Sequence, residues 1–301
     1  MKETVKVLLT TYNGINYVEE QIQSILDQEN VIVDLEIRDD NSKDNTVKLI
    51  QSKFPNIKVN VNIPSTGSAA KNFFKMLINL DFTQNFEYVA FSDQDDIWLP
   101  FKLVAAIQKL QNENADLYCS NLTKWDTNDG GFSLLKKDYP QKKFDFLFEG
   151  GSAGCTYVFT KSLAIELINV IETMDLSNWV ELSHDWFVYF FARSRNYKVV
   201  IDGNSYIYYR IHNNNVHGHL NQLNFKTVYE RYSKVINGYY QNHAMNYIKY
   251  IGKNTETEEI YNWFLRNYFT RNFIIWKYNL QLMRDPKKFF IFALLNLVNF
   301  N

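Results

Sequence analysis

Tyr88-Val-Ala-Phe-Ser-Asp-Gln-Asp-Asp-Ile-Trp98 runs from a short apolar segment straight into three acids. The first five residues read as a buried β-strand, and Asp93, Asp95 and Asp96 fall where it ends. Neighbouring carboxylates repel, and each charge beside an apolar strand is costly unless something positive or donor-rich meets it. Hard oxygen donors in this position suit Mg²⁺ or Mn²⁺, ions that take one or two carboxylates together with substrate phosphates. A solvated acidic turn is the plain alternative.

Upstream, the same strand type recurs. Val5-Lys-Val-Leu-Leu, Asp34-Leu-Glu-Ile-Arg and Ile57-Lys-Val-Asn-Val read as strands, separated by helical patterns over Val18–Leu26, Thr46–Phe54 and Ala69–Leu80. A helix over Leu103–Leu110 and a strand from Leu117 follow. Strands alternating with helices imply an α/β fold, a Rossmann-like, mostly parallel sheet flanked by helices. Ligands of such sheets sit beyond the carboxyl ends of the strands, which singles out the loops after Leu9, Ile37, Val61 and Phe91.

Those loops carry the expected polar groups. Thr10-Thr11-Tyr12-Asn13-Gly14 offers a tight turn at Gly14 and a flat ring at Tyr12 for a planar base, or is simply a turn. Arg38-Asp39-Asp40-Asn41-Ser42-Lys43-Asp44 offers acceptors for a pyrimidine imide N–H or a ribose hydroxyl. Ser42 or Asp44 also suits the cap of the next helix, and both roles coexist if Asp39 meets the ligand. Further on, Ser183-His184-Asp185-Trp186-Phe187 precedes an apolar run. Desolvation among aromatics is expected to raise the Asp185 pKa and make it a better general base; helix capping is the other reading. Tyr208-Tyr209-Arg210-Ile211-His212 ends another strand with groups suited to a diphosphate or a metal shell. Residues 126–150 read as mobile loops over the site.

The 301 residues are 46% hydrophobic with 11 Gly and 5 Pro, which excludes disordered and collagen-like classes. Cys119 and Cys155 are too few for a disulfide framework or a four-cysteine zinc site. The net charge of −1 argues against a nucleic-acid partner, but residues 225–301 hold eleven basic and five acidic residues, leaving −7 on the remainder. The boundary is expected near 220, with an α/β domain over 1–220 and a helical, basic, aromatic-rich extension over 221–301. Its helices are expected at Phe225–Tyr240, Met245–Ile251, Glu256–Tyr278 and Lys287–Val298. Phe289–Val298, after two lysines, suits either a last core helix or an interfacial anchor. No secretory h-region follows Met1 and no apolar run reaches the ~18–20 residues of a spanning helix. The expected location is cytoplasmic, with the basic extension resting on the inner face of the plasma membrane or joining a homo-oligomer. The high aromatic count is read as coding bias before it is read as sugar stacking.

Taken in order, VLLTTYNG, EIRDDNSKDNT, TGSAAKNF, FSDQDDIWLPFKL, GGSAGCTYVF, SHDWF and YYRIHNNN resemble the family 2 glycosyltransferases of GT-A fold, and among them bacterial rhamnosyltransferase-like members. The resemblance spans roughly residues 4–218. It implies that Thr10, Tyr12, Asp39, Asp93 and Arg210 contact the nucleotide sugar, that Asp95 and His212 hold Mn²⁺ or Mg²⁺, and that Asp185 is the catalytic base. His184 stands where many members have an acid. Trp98, Ala153, Gly154, Cys155, His184 and Trp186 are expected near the sugar or acceptor, with Trp98 equally suited to the core.

The activity implied is an inverting transfer from dTDP-rhamnose or a UDP-hexose to a hydroxyl of a bacterial surface glycan. That acceptor is a cell-wall or capsular polysaccharide, an O-antigen, a lipid-linked glycan or a glycan on a surface protein. A nucleotidyltransferase of related topology would carry a Gly- and Arg/Lys-rich loop where Tyr12-Asn13-Gly14 stands. A non-catalytic scaffold has no physical need for Asp39, Asp93, Asp95 and Asp185 together.

Overall fold

In strand β1 (Thr4–Thr11), Val5, Val7 and Leu9 enter one hydrophobic core and Leu8 the other. Strand β4 (Tyr88–Ser92) repeats the division, with Tyr88 and Ala90 on one face and Val89 and Phe91 on the opposite one. A strand apolar on both faces has to be covered on both, and helices do so here. The computed structural model describes residues 2–127, 130–177, 179, 181–212, 232–233 and 235–299.

Helix α1 (Val18–Leu26) and helix α4 (Lys102–Glu113) cover the first face through Val18, Ile22, Ile25, Leu103, Ile107 and Leu110. Helices α3 (Ala69–Ile78), α5 (Lys161–Ile171) and α6 (His184–Ser194) cover the second. Strands β2 (Ile32–Asp39) and β3 (Lys58–Val61) lie beside β1, with helix α2 (Thr46–Lys53) between them in sequence. The pairs β1–β2, β2–β3 and β1–β4 are all parallel, as expected for this half.

Beyond β4 the sheet becomes mixed. Its order is β3-β2-β1-β4-β8-β6-β9-β5, with β7 paired to β6. Here β5 is Ile97–Trp98, β6 Leu117–Asp126, β7 Phe132–Leu135, β8 Val158–Thr160 and β9 Val199–Ile211. β8 runs antiparallel to β4 and β6, while β6 and β9 are parallel. β5 pairs antiparallel with β9, Ile97 opposite Tyr208, which brings the end of β9 against the acidic loop.

Two sequence expectations need correction. Residues 126–150 are not a loose cover where described: β7 forms a hairpin with β6, and Asp145 is wholly buried in a 3-10 turn at Asp145–Leu147. The helix expected over Glu256–Tyr278 is two, α8 (Glu256–Arg266) and α9 (Tyr268–Tyr278). Asn267 breaks it with an extended backbone, and it forms a capping box with Thr270 that starts α9. Helix α7 (Tyr239–Tyr247) ends in a 3-10 turn through Tyr250, and α10 (Pro286–Val298) closes the chain. The domain boundary near 220 and most of the helix expected over 225–240 lie outside the described residues.

The C-terminal helices share the second core. Ala244, Tyr247, Ile260, Tyr261, Phe264 and Phe292 pack in one cluster with Phe73, Phe148 and Phe187. Among the described residues, no helix is long and apolar enough to cross a membrane.

Candidate active site

The carboxyl ends of β1, β2 and β4 meet through a web of short polar contacts. The Tyr12 amide donates to Gln94 Oε1 at 2.8 Å, and Gln94 Nε2 donates back to the Tyr12 carbonyl at 3.0 Å. Held there by its backbone, Tyr12 leaves its side chain 53% exposed at the rim of the site. Thr10 is buried within β1.

Asp39 is fully buried, and its carboxylate accepts from Thr11 Oγ1 at 2.8 Å and from the Ser42 amide at 2.7 Å, as well as from the Ser42 hydroxyl. It therefore sets the shape of the β2 loop whatever else it binds. Asp44 accepts from the Thr46 amide at 2.9 Å at the start of α2, the helix-end role expected of it. Asp40, absent from the sequence-based candidates, accepts from Asn62, Ser65 and the Thr66 and Gly67 amides, fixing the loop before α3.

Beyond β4 the acids crowd together. Asp96 is fully buried; its Oδ1 accepts from the Arg210 amide at 3.3 Å, and its Oδ2 has no partner among the described residues. Burial, then repulsion from Asp95 and Asp185, pushes Asp93 up to about 7. Burial, then repulsion from Asp95 and Asp93, pushes Asp96 well above the carboxylate range. Donor atoms of Asp93, Asp96 and Cys155 lie within 4.8 Å of one another. Asp95 Oδ2 is 2.8 Å from His212 Nε2, and the His212 ring stacks on Tyr17 at 4.5 Å. Sequence reasoning paired Asp95 with His212, and the fold brings them into contact.

An under-compensated group of carboxylates with a free buried oxygen fits a hard divalent cation. The Cys155 thiol does not turn the site towards soft metals, because burial beside Asp96 and Asp93 raises its pKa well above the usual value. One counter-charge is built in: Lys102 is buried with its ammonium 3.5 Å from the Trp98 ring centroid, and burial lowers its pKa to about 7.

Several expected contacts are displaced. Arg210 pairs with Glu20 and donates through Nε to the Asp95 carbonyl at 3.0 Å, so it braces the acidic loop. Trp98 and Trp186 are both buried and present no open face to a sugar. Trp186 stacks on His243 at 4.5 Å and donates to the Phe146 carbonyl at 3.0 Å. Cys155 is fully buried behind the acids and does not line an acceptor surface.

Asp185 occupies the first turn of α6. Ser183 caps this helix, accepting from the Trp186 amide, and also donates its hydroxyl to Asp185 Oδ1. The cap is thus Ser183, and Asp185 lies in the first turn behind it. Asp185 Oδ1 accepts from the Trp186 amide at 2.7 Å, whereas Oδ2 makes no hydrogen bond to the described residues. Its charge is felt at Asp93 on one side and at Lys137 and Tyr239 on the other. His184 stacks on Phe73 at 4.2 Å. A Cβ on Gly154 would collide with the His184 imidazole, so glycine there lets the loop close onto the start of α6.

Residues 6–163 match the model described as glycosyl transferase family 2. The chain belongs to that family. It is 39% identical over 240 residues to the dTDP-rhamnosyl transferase RfbG of Shigella flexneri, covering 77% of this chain and 81% of that protein. Among solved structures, TarS 1–349 of S. aureus in complex with UDP superposes with a TM-score of 0.58 at 16% identity, over 93% of this chain and 74% of that one. The mannosyltransferase PcManGT of Pyrobaculum calidifontis, in complex with GDP-Man and Mn²⁺, gives 0.50 at 13% identity, over 93% and 74%. These likenesses show the GT-A fold, with a helical C-terminal part, for this family 2 glycosyltransferase.

The enzyme also uses residues that its motifs do not reveal. Arg284, just before α10, is buried and donates to the carbonyls of Gly150, Gly151 (2.8 Å) and Lys137 (2.8 Å). Its own amide donates to Glu149 Oε2 at 2.8 Å, and its guanidinium lies 3.7 Å from Asp145. The extension thereby holds the loop that leads to Gly154. The only sequence signal is a lone Arg-Asp-Pro before the last helix.

Proposed function

We propose that the enzyme transfers rhamnose from dTDP-rhamnose, with a UDP-hexose as the alternative donor, to a hydroxyl of a bacterial surface glycan. Inversion at the anomeric carbon follows from a single displacement. The observation that carries the reading is that the His184 ring, next to Asp185, packs against Phe91 at 5.4 Å, so the start of α6, with its candidate proton acceptor, stands beside the strand that leads into the acids. The likeness to a dTDP-rhamnosyl transferase favours thymine and rhamnose over the other donors.

In this scheme Tyr12 stacks on the base, and the β2 loop shaped by Asp39 receives its edge. Asp185 Oδ2 takes the proton of the acceptor hydroxyl as that oxygen attacks the anomeric carbon. The sugar–oxygen bond of the donor breaks, and the nucleoside diphosphate leaves with the electron pair. Asp95 and His212, with Asp93 and Asp96 beside them, are the residues that would hold Mn²⁺ or Mg²⁺. Such an ion supplies positive charge to the departing diphosphate. The chain's own part is to fix the acids, through the Arg210 brace and the Gln94 clamp.

A thermal-shift panel of dTDP-rhamnose, UDP-hexoses and GDP-mannose tests the donor. The largest stabilisation is expected with dTDP-rhamnose; a response to GDP-mannose alone would overturn the pyrimidine assignment.

The acids also predict a pH dependence. Folded Asp93 keeps a proton up to about 7 that the unfolded chain gives up near the ordinary carboxylate value. Between those two pH values the folded state binds more protons. Stability of the EDTA-treated enzyme therefore falls as pH rises through that window, by at most about 1.4 kcal/mol per pH unit from this group. A divalent cation prefers the ionised acids, so the melting-temperature gain from Mn²⁺ is expected to grow as pH rises. A gain that is equal at both ends of the window, or larger at the acid end, contradicts the assignment.

A further inference from the structure

Helices α9 and α10 are apolar on two sides. Inward, Ile274, Ile275 and Tyr278 of α9 and Phe289 and Phe292 of α10 join the core. Outward, α9 carries Phe269 (80% exposed), Phe273 and Trp276 (75% exposed), at helical spacings i, i+4 and i+7, and Leu280 in the turn that follows is exposed as well. α10 carries Phe290, Ile291, Leu294, Leu297 and Val298, all exposed, at i, i+1, i+4, i+7 and i+8. The helices are neighbours: Tyr268 Oη donates to the Leu297 carbonyl at 2.9 Å, and Asn272 Nδ2 to the Asn296 carbonyl at 3.4 Å. Single exposed apolar residues need no explanation, whereas two adjoining stripes of this size mark a contact surface.

Charge decides between the candidate occupants. Residues 266–299 contain six basic side chains and one acidic. Arg271 and Arg284 are buried and Lys288 pairs with Glu149, leaving Arg266, Lys277 and Lys287 exposed; Lys277 also feels Glu259 and Glu256 of α8. A second copy of the chain would bring like charges together, whereas anionic lipid headgroups complement them. With 11 and 13 residues, the helices are too short to span a bilayer, and their exposed aromatics suit the headgroup boundary.

We propose that the outward face of α9 and α10 is a membrane-docking surface. It lies in the interface of an anionic bilayer, with Phe269, Trp276, Phe290 and Leu294 inserted and Lys287 at the headgroups. This assignment stands independently of the donor and of the catalytic roles above.

Co-sedimentation of the full chain with phosphatidylglycerol/phosphatidylcholine vesicles, compared with phosphatidylcholine alone, tests it. Binding to the anionic vesicles is expected. The triple variant Phe269→Ser, Trp276→Ser, Leu294→Ser should lose at least about tenfold in partitioning without a lower melting temperature, since the three side chains are exposed and carry the apolar area that inserts. Lys287→Glu should weaken binding to the anionic vesicles alone. Failure of the wild type to bind anionic vesicles, or wild-type binding by the triple variant, would overturn the proposal. So would a wild-type dimer in sedimentation velocity that becomes monomeric in the triple variant, which would assign the face to a second copy.

Discussion

Asp185→Asn should lower sugar transfer by about 10²–10⁴-fold, the usual contribution of a general base, while nucleotide affinity and the melting temperature stay near wild type. The substitution is close to isosteric. An asparagine oxygen can still accept from the Trp186 amide at the start of α6, a bond the aspartate makes at 2.7 Å. What disappears is the proton-accepting charge on the oxygen that makes no bond to the described residues. Because that charge also repels Asp93, its removal should ease the crowding of the acids, so divalent-ion affinity is expected to hold or to fall slightly. Measuring kcat for transfer alongside calorimetric binding of nucleotide separates the two effects. Wild-type turnover in the variant would remove Asp185 from the reaction.

Arg284→Ala should cost about 3–5 kcal/mol of stability, the range seen when one partner of a buried ion pair is removed. The guanidinium satisfies the Gly150, Gly151 and Lys137 carbonyls and stands beside Asp145 and Glu149, and no smaller side chain reaches all of them. Asp145 keeps Arg193 at 3.1 Å and Glu149 keeps Lys288 at 2.8 Å, so the loss should stop short of unfolding the enzyme. Arg284→Lys should recover only part of it, since a point charge cannot replace a planar fork of donors. Chemical denaturation measures the difference; a change below about 1 kcal/mol would show that the loop before Gly154 is held by other contacts.

The parallel half of the fold was legible because its strands are apolar on both faces and its helices begin and end near the expected residues. The contact between Asp95 and His212 was legible for a related reason: loops at strand ends converge, so polar residues far apart in sequence meet there. Other side chains depend on packing that no motif displays. Trp98 suits a sugar platform or the core alike, and Trp186 reads as a platform, but an indole next to acids packs equally well inward, and both are buried. Arg210 reads as a free cation until β9 is seen to run against β5, which turns its side chain towards Glu20. Arg284 and Asp145 were invisible because a buried ion pair 139 positions apart leaves no periodic or local trace. Asn267 could have been read as a helix break, but its capping partner is a threonine rather than the usual glutamate or glutamine.

The amide of Gln94 has a consequence for how this site can vary. With one oxygen and one nitrogen it closes a two-bond ring on the backbone of Tyr12, the arrangement two strands make when they pair. It works as a side-chain stitch across the ends of β1 and β4, where their ladder has already stopped at Leu9 and Ser92. Position 94 sits between Asp93 and Asp95, so the same residue ties the acidic loop to the backbone that carries the Tyr12 ring. On the roles proposed above for Tyr12 and the acids, a change of donor base and a change of metal preference are mechanically tied to one side chain, and neither can drift far without the other.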